Sequence, residues 1–273
     1  MSIKMIGLDL DGTTLNNDGI MTERTKKAFV SAMEKGVHII VATGRAIHSL
    51  PKDLFDIKGL EYTITSNGAR IIEMKEKSTI RANFINEETV RRIHNFLKER
   101  DAMIEIFCEG RAFISRSEYE NIVGGGPTRR SRKYVKESRT PVDDIYSMLW
   151  EKADHIENIS INYFEKEEKA EMEKGLSEIP GMTLTSSFPY NNEIGGVNTS
   201  KAEALKYMME RLSVSPEELM CCGDSLNDMA MIKLAGIGVA MENASDEVKE
   251  IADYITSTNH DDGVAKAIEK FAL

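Results

Sequence analysis

The sequence predicts an α/β protein, a parallel-sheet core interrupted by an inserted α+β module. Three observations carry this. Short apolar runs alternate with amphipathic stretches in the first third of the chain, the rhythm of strand-helix-strand units. The middle instead alternates apolar and polar residues, as half-exposed antiparallel strands do. The last third resumes the first rhythm, so the middle reads as an insertion.

At the start, IKMIGLD (residues 3–9) reads as a strand, residues 23–35 as a helix with Thr22 as N-cap and Gly36 at its close, and VHIIVA (37–42) as the next strand. EYTITSNGARIIEM and STIRANFI supply further strands joined by a turn. The inserted module contributes strands in AMIEIFC, GRAFISR and ISINYF and helices at 87–100 and 166–177. Beyond it, SPEEL opens a short helix on the capping box of Ser215 and Glu218, with Pro216 at its first position. LMCCGD is then a strand, SLNDMAMIKLAG a helix ending at Gly236, and IGVAM a further strand. Residues 1–82 and 188–273 are thus expected to form the core and 83–187 the insertion.

Composition excludes several functions. A formal net charge of −10 disfavours nucleic acid and anionic membrane surfaces as partners. The chain meets Asp9 before a secretory apolar region is complete and has no run near the ~18 residues of a membrane span, so the expectation is a soluble, cytoplasmic protein. Cys108, Cys221 and Cys222 form no C-x-x-C pair, and the five histidines show no close pairing, so neither a disulfide frame nor a zinc site is indicated.

In open α/β sheets ligands bind beyond the carboxyl ends of the strands. Asp9 closes the first strand, Thr43 and Gly44 follow VHIIVA, and Asp224 follows LMCCG. A helix beginning near Ser225 would place Asp228 in its first turn, facing the same crevice. Such carboxylates repel one another unless a cation joins them, and hard oxygen ligands with room for water suit Mg²⁺. Lys201 stands at the first position of a helix capped by Ser200 and Glu203, where the helix dipole disfavours a cation by roughly 0.3–1 kcal/mol. A bound phosphate would compensate it, and on this reading Lys201→Met barely alters stability while sharply reducing turnover. Singly, each residue has an ordinary reading as turn former or solvated side chain. Together, in chain order and at strand ends, they read as a site.

These residues resemble the haloacid dehalogenase-like (HAD) superfamily of phosphotransferases, whose four motifs are matched by DLDGTTL (9–15), VATGR (41–45), Lys201 and GDSLNDMAMI (223–232). The last motif, SNGA (66–69), GVAMENA (238–244) and DDGVAKAI (261–268) resemble the Cof-type branch, which inserts a large cap between the second and third motifs. The resemblance implies a Rossmann-like core with an inserted cap. It further implies Asp9 as the nucleophile that forms an aspartyl-phosphate and Asp11 as the acid and base. Mg²⁺ would be held by the Asp9 carboxylate, the Asp11 carbonyl and Asp224, with Asp228 orienting water or Lys201. Thr43, Gly44 and Lys201 would hold phosphoryl oxygens, with Arg45 and Asn227 as further contacts to phosphate or substrate.

The stretch GGGPTRRSRKYVKESR (124–139) carries six basic side chains and one acidic one. It reads as a solvated, mobile face, with recognition of a second substrate anion by Arg129, Arg130 or Arg132 as the alternative. The leading function is a Mg²⁺-dependent phosphatase for a small phosphorylated metabolite. The alternatives are a phosphomutase or other phosphotransferase, and a non-catalytic phosphate-binding regulator, for which a nucleophile would have no use.

Overall fold

The computed structural model describes residues 2–273. The chain divides into two compact units, one comprising the chain through Gly44 together with Pro51–Ala82 and Ser200–Leu273, the other Arg45–Leu50 with Asn83–Thr199.

In the first unit, β1 (Met5–Leu8) is fully buried and leads through α1 (Glu23–Glu34) to β2 (His38–Ala42), paired parallel to it. Thr22 caps α1 by accepting the Thr25 N–H. A short helix, α2 (Lys52–Phe55), precedes β3 (Tyr62–Thr65), which is parallel to β2, and β4 (Arg70–Glu73) and β5 (Ser78–Ala82) extend the sheet antiparallel.

The second unit opens with α3 (Glu87–Lys98), β6 (Ile104–Cys108) and β7 (Arg111–Ser115). It continues through α4 (Arg116–Val123), α5 (Arg132–Ser138), β8 (Arg139–Val142), α6 (Ile145–Glu151), β9 (Ile156–Asn162), α7 (Lys166–Leu176), β10 (Met182–Thr185) and β11 (Asn191–Gly196). Its six strands lie in the order β10-β11-β9-β6-β7-β8, antiparallel except for β7 with β8. Val90, Ile93 and Leu97 of α3, Leu149 of α6 and Leu176 of α7 share one core with Ile106 and Ile159 of the sheet.

The chain then returns to the first unit with α8 (Lys201–Leu212), β12 (Leu219–Gly223), α9 (Met229–Leu234), β13 (Ile237–Ala240), α10 (Asp246–Glu250), β14 (Tyr254–Ile255) and α11 (Gly263–Phe271). The sheet order is β14-β13-β12-β1-β2-β3-β4-β5, with β12, β1 and β2 side by side and parallel. Leu8 is level with both Cys222 and Val41, so the residues that follow all three strands emerge on one edge. That register positions the site.

Several local expectations shift. SPEEL is a single 3-10 turn, Pro216–Glu218, with both capping-box bonds present. The helix expected across SLNDMAMIKLAG begins as a 3-10 turn, Leu226–Asp228, before α9. The second unit runs to Thr199 rather than 187, because Asn191–Gly196 (NNEIGG) pairs with both β9 and β10. That strand contains one apolar branched side chain, Ile194, and so has no hydrophobic alternation to reveal it. Arg45–Leu50 also belongs to this unit: Ala46 packs with Phe107 and Ala112, and the His48 N–H donates to the Gly110 carbonyl at 3.1 Å.

Four of the six cations of the basic stretch, Arg129, Arg130, Arg132 and Arg139, are committed to partners. Arg132 donates to the Ile122, Gly125 and Gly126 carbonyls at 3.1, 3.0 and 2.7 Å, capping the C-terminus of α4. Arg129 donates to the Phe164 carbonyl at 2.7 Å and lies over the Tyr190 ring. Arg130 and Arg139 both close on Glu105, which is buried, Arg139 at 2.9 Å. Burial opposes the Glu105 charge, but Arg139 and Arg130 outweigh it and hold the carboxyl at about 2, below its ordinary 4.5. The solvated-face expectation therefore fails at Arg130 and Arg139.

A carboxyl depressed on folding stabilises above its unfolded pKa, so this contribution is full above about 4.5 and fades as pH falls toward about 2. Glu105→Gln leaves two guanidinium groups short of their counter-charge and is expected to lose about 3 kcal/mol at neutral pH. Urea midpoints taken down the acid range should converge for the two proteins. Equal midpoints at pH 7 would show that the cluster contributes nothing.

Candidate active site

Three carboxylates and a lysine meet at the carboxyl edge of the parallel strands. Asp9 leaves β1, Asp224 leaves β12, and the 3-10 turn that follows carries Asp228 back beneath them. Carboxylate oxygens of Asp9, Asp224 and Asp228 all lie within 4.8 Å of one another. Lys201, the first residue of α8, donates to Asp9 Oδ1 at 2.6 Å and to Asp228 Oδ1 at 2.7 Å.

Asp228 is fully engaged. Its second oxygen, Oδ2, accepts the backbone N–H groups of Asp224 and Ser225, each at 3.0 Å, so it fixes both Lys201 and the turn that presents Asp224. Asp224 in turn accepts Thr13 Oγ1 at 2.7 Å and Ser225 Oγ at 3.0 Å. Gly12 makes room for it: φ is +77°, and a β-carbon there would fall 2.4 Å from Asp224 Oδ2. The Asn243 side chain donates to the Gly12 carbonyl at 2.8 Å, and the Thr14 hydroxyl donates to the Asp9 carbonyl at 2.5 Å, so the loop after β1 is held from both sides.

The charges do not balance. Burial raises the Asp9 carboxyl well above its ordinary value; Lys201 opposes the rise, and Asp228, Asp224 and Asp11 add to it. Asp224 is pushed up to about 6, first by burial and then by Asp228. Burial works against the Lys201 charge as well, but Asp228 and Asp9 prevail and hold it above the ordinary lysine range. Among the described residues one ammonium thus serves a cluster of three carboxylates, with the exposed Asp11 adding its charge nearby. A divalent cation fits this donor set of hard oxygens and would relieve the excess charge, with Asp9 and Asp224 the carboxylates best placed for it, since Asp228 is spoken for.

Lys201 overturns one expectation. The dipole penalty at the first turn of α8 is small beside two buried ion pairs, and its side chain is 1% exposed. The lysine holds the carboxylates together, and a bound anion is not needed to explain its placement. Ser200 caps α8 by accepting the Glu203 N–H at 3.1 Å, while the Glu203 carboxylate receives Lys206 at 2.6 Å.

The remaining expected residues fall in different places. Thr43 is buried, its N–H donating to the Ile64 carbonyl at 2.9 Å, and Gly44 lies against the Asn67 side chain. Asn227 donates its amide to Asn67 Oδ1 at 3.1 Å. Asp11 is exposed just beyond Asp9 and adds its charge to the cluster. Arg45 lies in the second unit, where it donates to the Ser49 carbonyl at 3.0 Å and stacks on the Tyr134 ring.

Sequence reasoning gave no role to Thr13, Ser225, Asn243 and Asn67. All four sit inside segments quoted above, but what their side chains meet is set at long range for Thr13, whose hydroxyl reaches Asp224 across 211 positions, and for Asn67, which receives Asn227 across 160. Asn67 lies inside the stretch EYTITSNGARIIEM, which reads as strand, and inside the SNGA segment that resembles the Cof-type branch, with no role given to its side chain. It occupies the left-handed region at φ +55° while 4% exposed, an unusual combination for a residue with no site to serve.

A family model described as haloacid dehalogenase-like hydrolase matches residues 6–268. The 5-amino-6-(5-phospho-D-ribitylamino)uracil phosphatase YcsE of Bacillus subtilis is 31% identical over 274 residues, covering 100% of this chain and 97% of that protein. A haloacid dehalogenase-like hydrolase structure from B. subtilis superposes with a TM-score of 0.83 at 28% identity, over 98% of this chain and 99% of the other. BT1666 of Bacteroides thetaiotaomicron, described among phosphatases of the HAD superfamily, gives 0.80 at 30% identity, over 99% and 95%.

Proposed function

Because the chain belongs to the haloacid dehalogenase-like hydrolases, in the Cof-type branch with a second, inserted sheet as cap, we propose that it is a Mg²⁺-dependent phosphatase acting on a small phosphate monoester through an aspartyl-phosphate. The observation that carries this is Asp9: a buried carboxylate at a strand end, oriented by Lys201 at 2.6 Å. An ionised carboxylate attacks phosphorus without help from a base.

In the first step an Asp9 oxygen bonds to phosphorus as the bond to the ester oxygen breaks, and Asp11 gives the leaving alkoxide a proton. In the second, water attacks the phosphoryl group on Asp9 and loses a proton to Asp11, and the bond from phosphorus to Asp9 breaks. Lys201 and the Thr43–Gly44 turn offset charge on the transferring oxygens. Mg²⁺, when bound by Asp9, Asp224 and the Asp11 carbonyl, supplies further positive charge there. The B. subtilis relative named above acts on a phosphoribityl compound, which supports a small phosphorylated metabolite, such as a sugar phosphate or a phosphorylated cofactor intermediate, as the substrate class.

Phosphate release from p-nitrophenyl phosphate and from an alkyl phosphate, with Mg²⁺ and after chelation, tests the reading. Both should be hydrolysed only with metal present. Asp11→Asn should slow the alkyl ester by roughly 10²–10⁴-fold and the p-nitrophenyl ester less, because a good leaving group needs less protonation. No release from either ester by wild type would refute a phosphatase.

A further inference from the structure

We infer that Asn67 is a positioning residue of the active site, holding the Asn227 amide and the Thr43–Gly44 turn in one fixed arrangement. Three observations point to it. Asn67 Oδ1 accepts from Asn227 Nδ2 at 3.1 Å, across 160 positions of sequence. The Asn67 backbone N–H donates to the Thr43 carbonyl at 3.0 Å, and its amide lies so close to Gly44 that a β-carbon there would stand 3.2 Å from Oδ1. Its backbone is left-handed and neighbours Gly68, where φ is +102° and a β-carbon would fall 2.2 Å from the Ser200 carbonyl at the head of α8.

The chemistry follows from what the pairing leaves over. A side-chain amide has two N–H donors and one carbonyl acceptor. With one donor committed to Asn67, Asn227 has a second N–H left, and its Oδ1 is buried without a hydrogen-bond partner. Leaving a buried acceptor unmade is unfavourable, so the arrangement persists because the surroundings impose it. Without Asn67 the Asn227 amide can rotate, and its spare N–H and carbonyl lose their direction. The carbonyl of Thr43 is pinned by the same residue, so both segments expected to meet phosphate depend on one side chain and its backbone.

This inference rests on the phosphatase reading, but the geometry can be tested apart from turnover. Asn67→Gly keeps the left-handed backbone at no steric cost and deletes only the side chain, whereas Asn67→Ala also strains the backbone. Asn67→Gly should lower kcat/KM for p-nitrophenyl phosphate by about 10–100-fold, within the range expected when a reacting group is misplaced by about an ångström. Asn227→Ala should show a similar loss, and the double variant should be little worse than Asn227→Ala alone, since the two act as a unit. Undiminished kcat/KM in Asn67→Gly, or a double variant whose loss is the product of the two, would overturn the inference.

Hydrogen exchange of the Asn227 side-chain amide in the metal-free protein supplies the separate reading. Protection in wild type that is lost in Asn67→Gly supports the positioning role even if no ester is turned over. An Asn227 amide that exchanges equally fast in both overturns it, even in an active enzyme.

Discussion

Asp9→Asn is expected to lose turnover by at least about 10⁴-fold while remaining folded, because it removes the attacking charge and keeps the shape. The backbone bond from the Thr14 hydroxyl to the Asp9 carbonyl is untouched, and Lys201 retains Asp228 as a partner at 2.7 Å. Removing one carboxylate from an over-acidic cluster should leave the metal-free protein at least as stable as wild type, since burial, with the neighbouring carboxylates, opposes the Asp9 charge by more than Lys201 favours it. Intact mass of the enzyme quenched during turnover should show a phosphoryl adduct in wild type and none in the variant. A variant of verified sequence and mass that turns over at the wild-type rate would end the covalent mechanism.

Lys201→Met is expected to fail in both stability and activity. The residue is fully enclosed, bonded to Asp9 and Asp228 at 2.6 and 2.7 Å, and its removal leaves those carboxylates buried without their cation. Breaking a buried pair in this way costs about 3–5 kcal/mol, several times what relief of the helix dipole returns. The sign with pH is definite. A lysine held above its ordinary 10.5 stabilises fully below that value and loses the contribution as pH rises through the folded pKa, so at pH 7 the whole effect is present. In the variant Asp9, already raised by burial, has lost the cation that opposed the rise, so it takes up a proton more readily and the deficit should shrink on acidification. Adding Asp228→Asn should recover stability but not turnover, which should stand at least about 10²-fold down because the phosphoryl oxygens still lack their cation. Equal urea midpoints for wild type and Lys201→Met would show that the ion pairs are worth little.

What could be read from the chain was whatever leaves a local trace. Apolar alternation and capping residues marked β1, β2, β6, β7, β9 and β12 and the helices α1, α3, α7 and α8, because periodicity and caps are properties of neighbours in sequence. Asp9, Thr43, Lys201 and Asp224 stood out because each follows a strand or opens a helix, and a parallel sheet gathers such positions on one edge. The strand Asn191–Gly196 and the helices α4 to α6 left too faint a trace: the first has little apolar content, and the others are short segments stabilised by packing and by long-range bonds such as Arg132 on the end of α4. Tertiary structure alone decided how charge is matched. That Arg130 and Arg139 enclose Glu105, that Asp228 steadies Lys201, and that Asn67 reaches Asn227 all depend on pairs separated by 25 to 192 positions, counting the Lys201 bond to Asp9 as the longest. The same physics reversed the expectation for Lys201. A helix terminus is visible in sequence and suggested an ill-placed cation, whereas the two carboxylates that make burial of that cation favourable arrive from β1 and from the turn after β12.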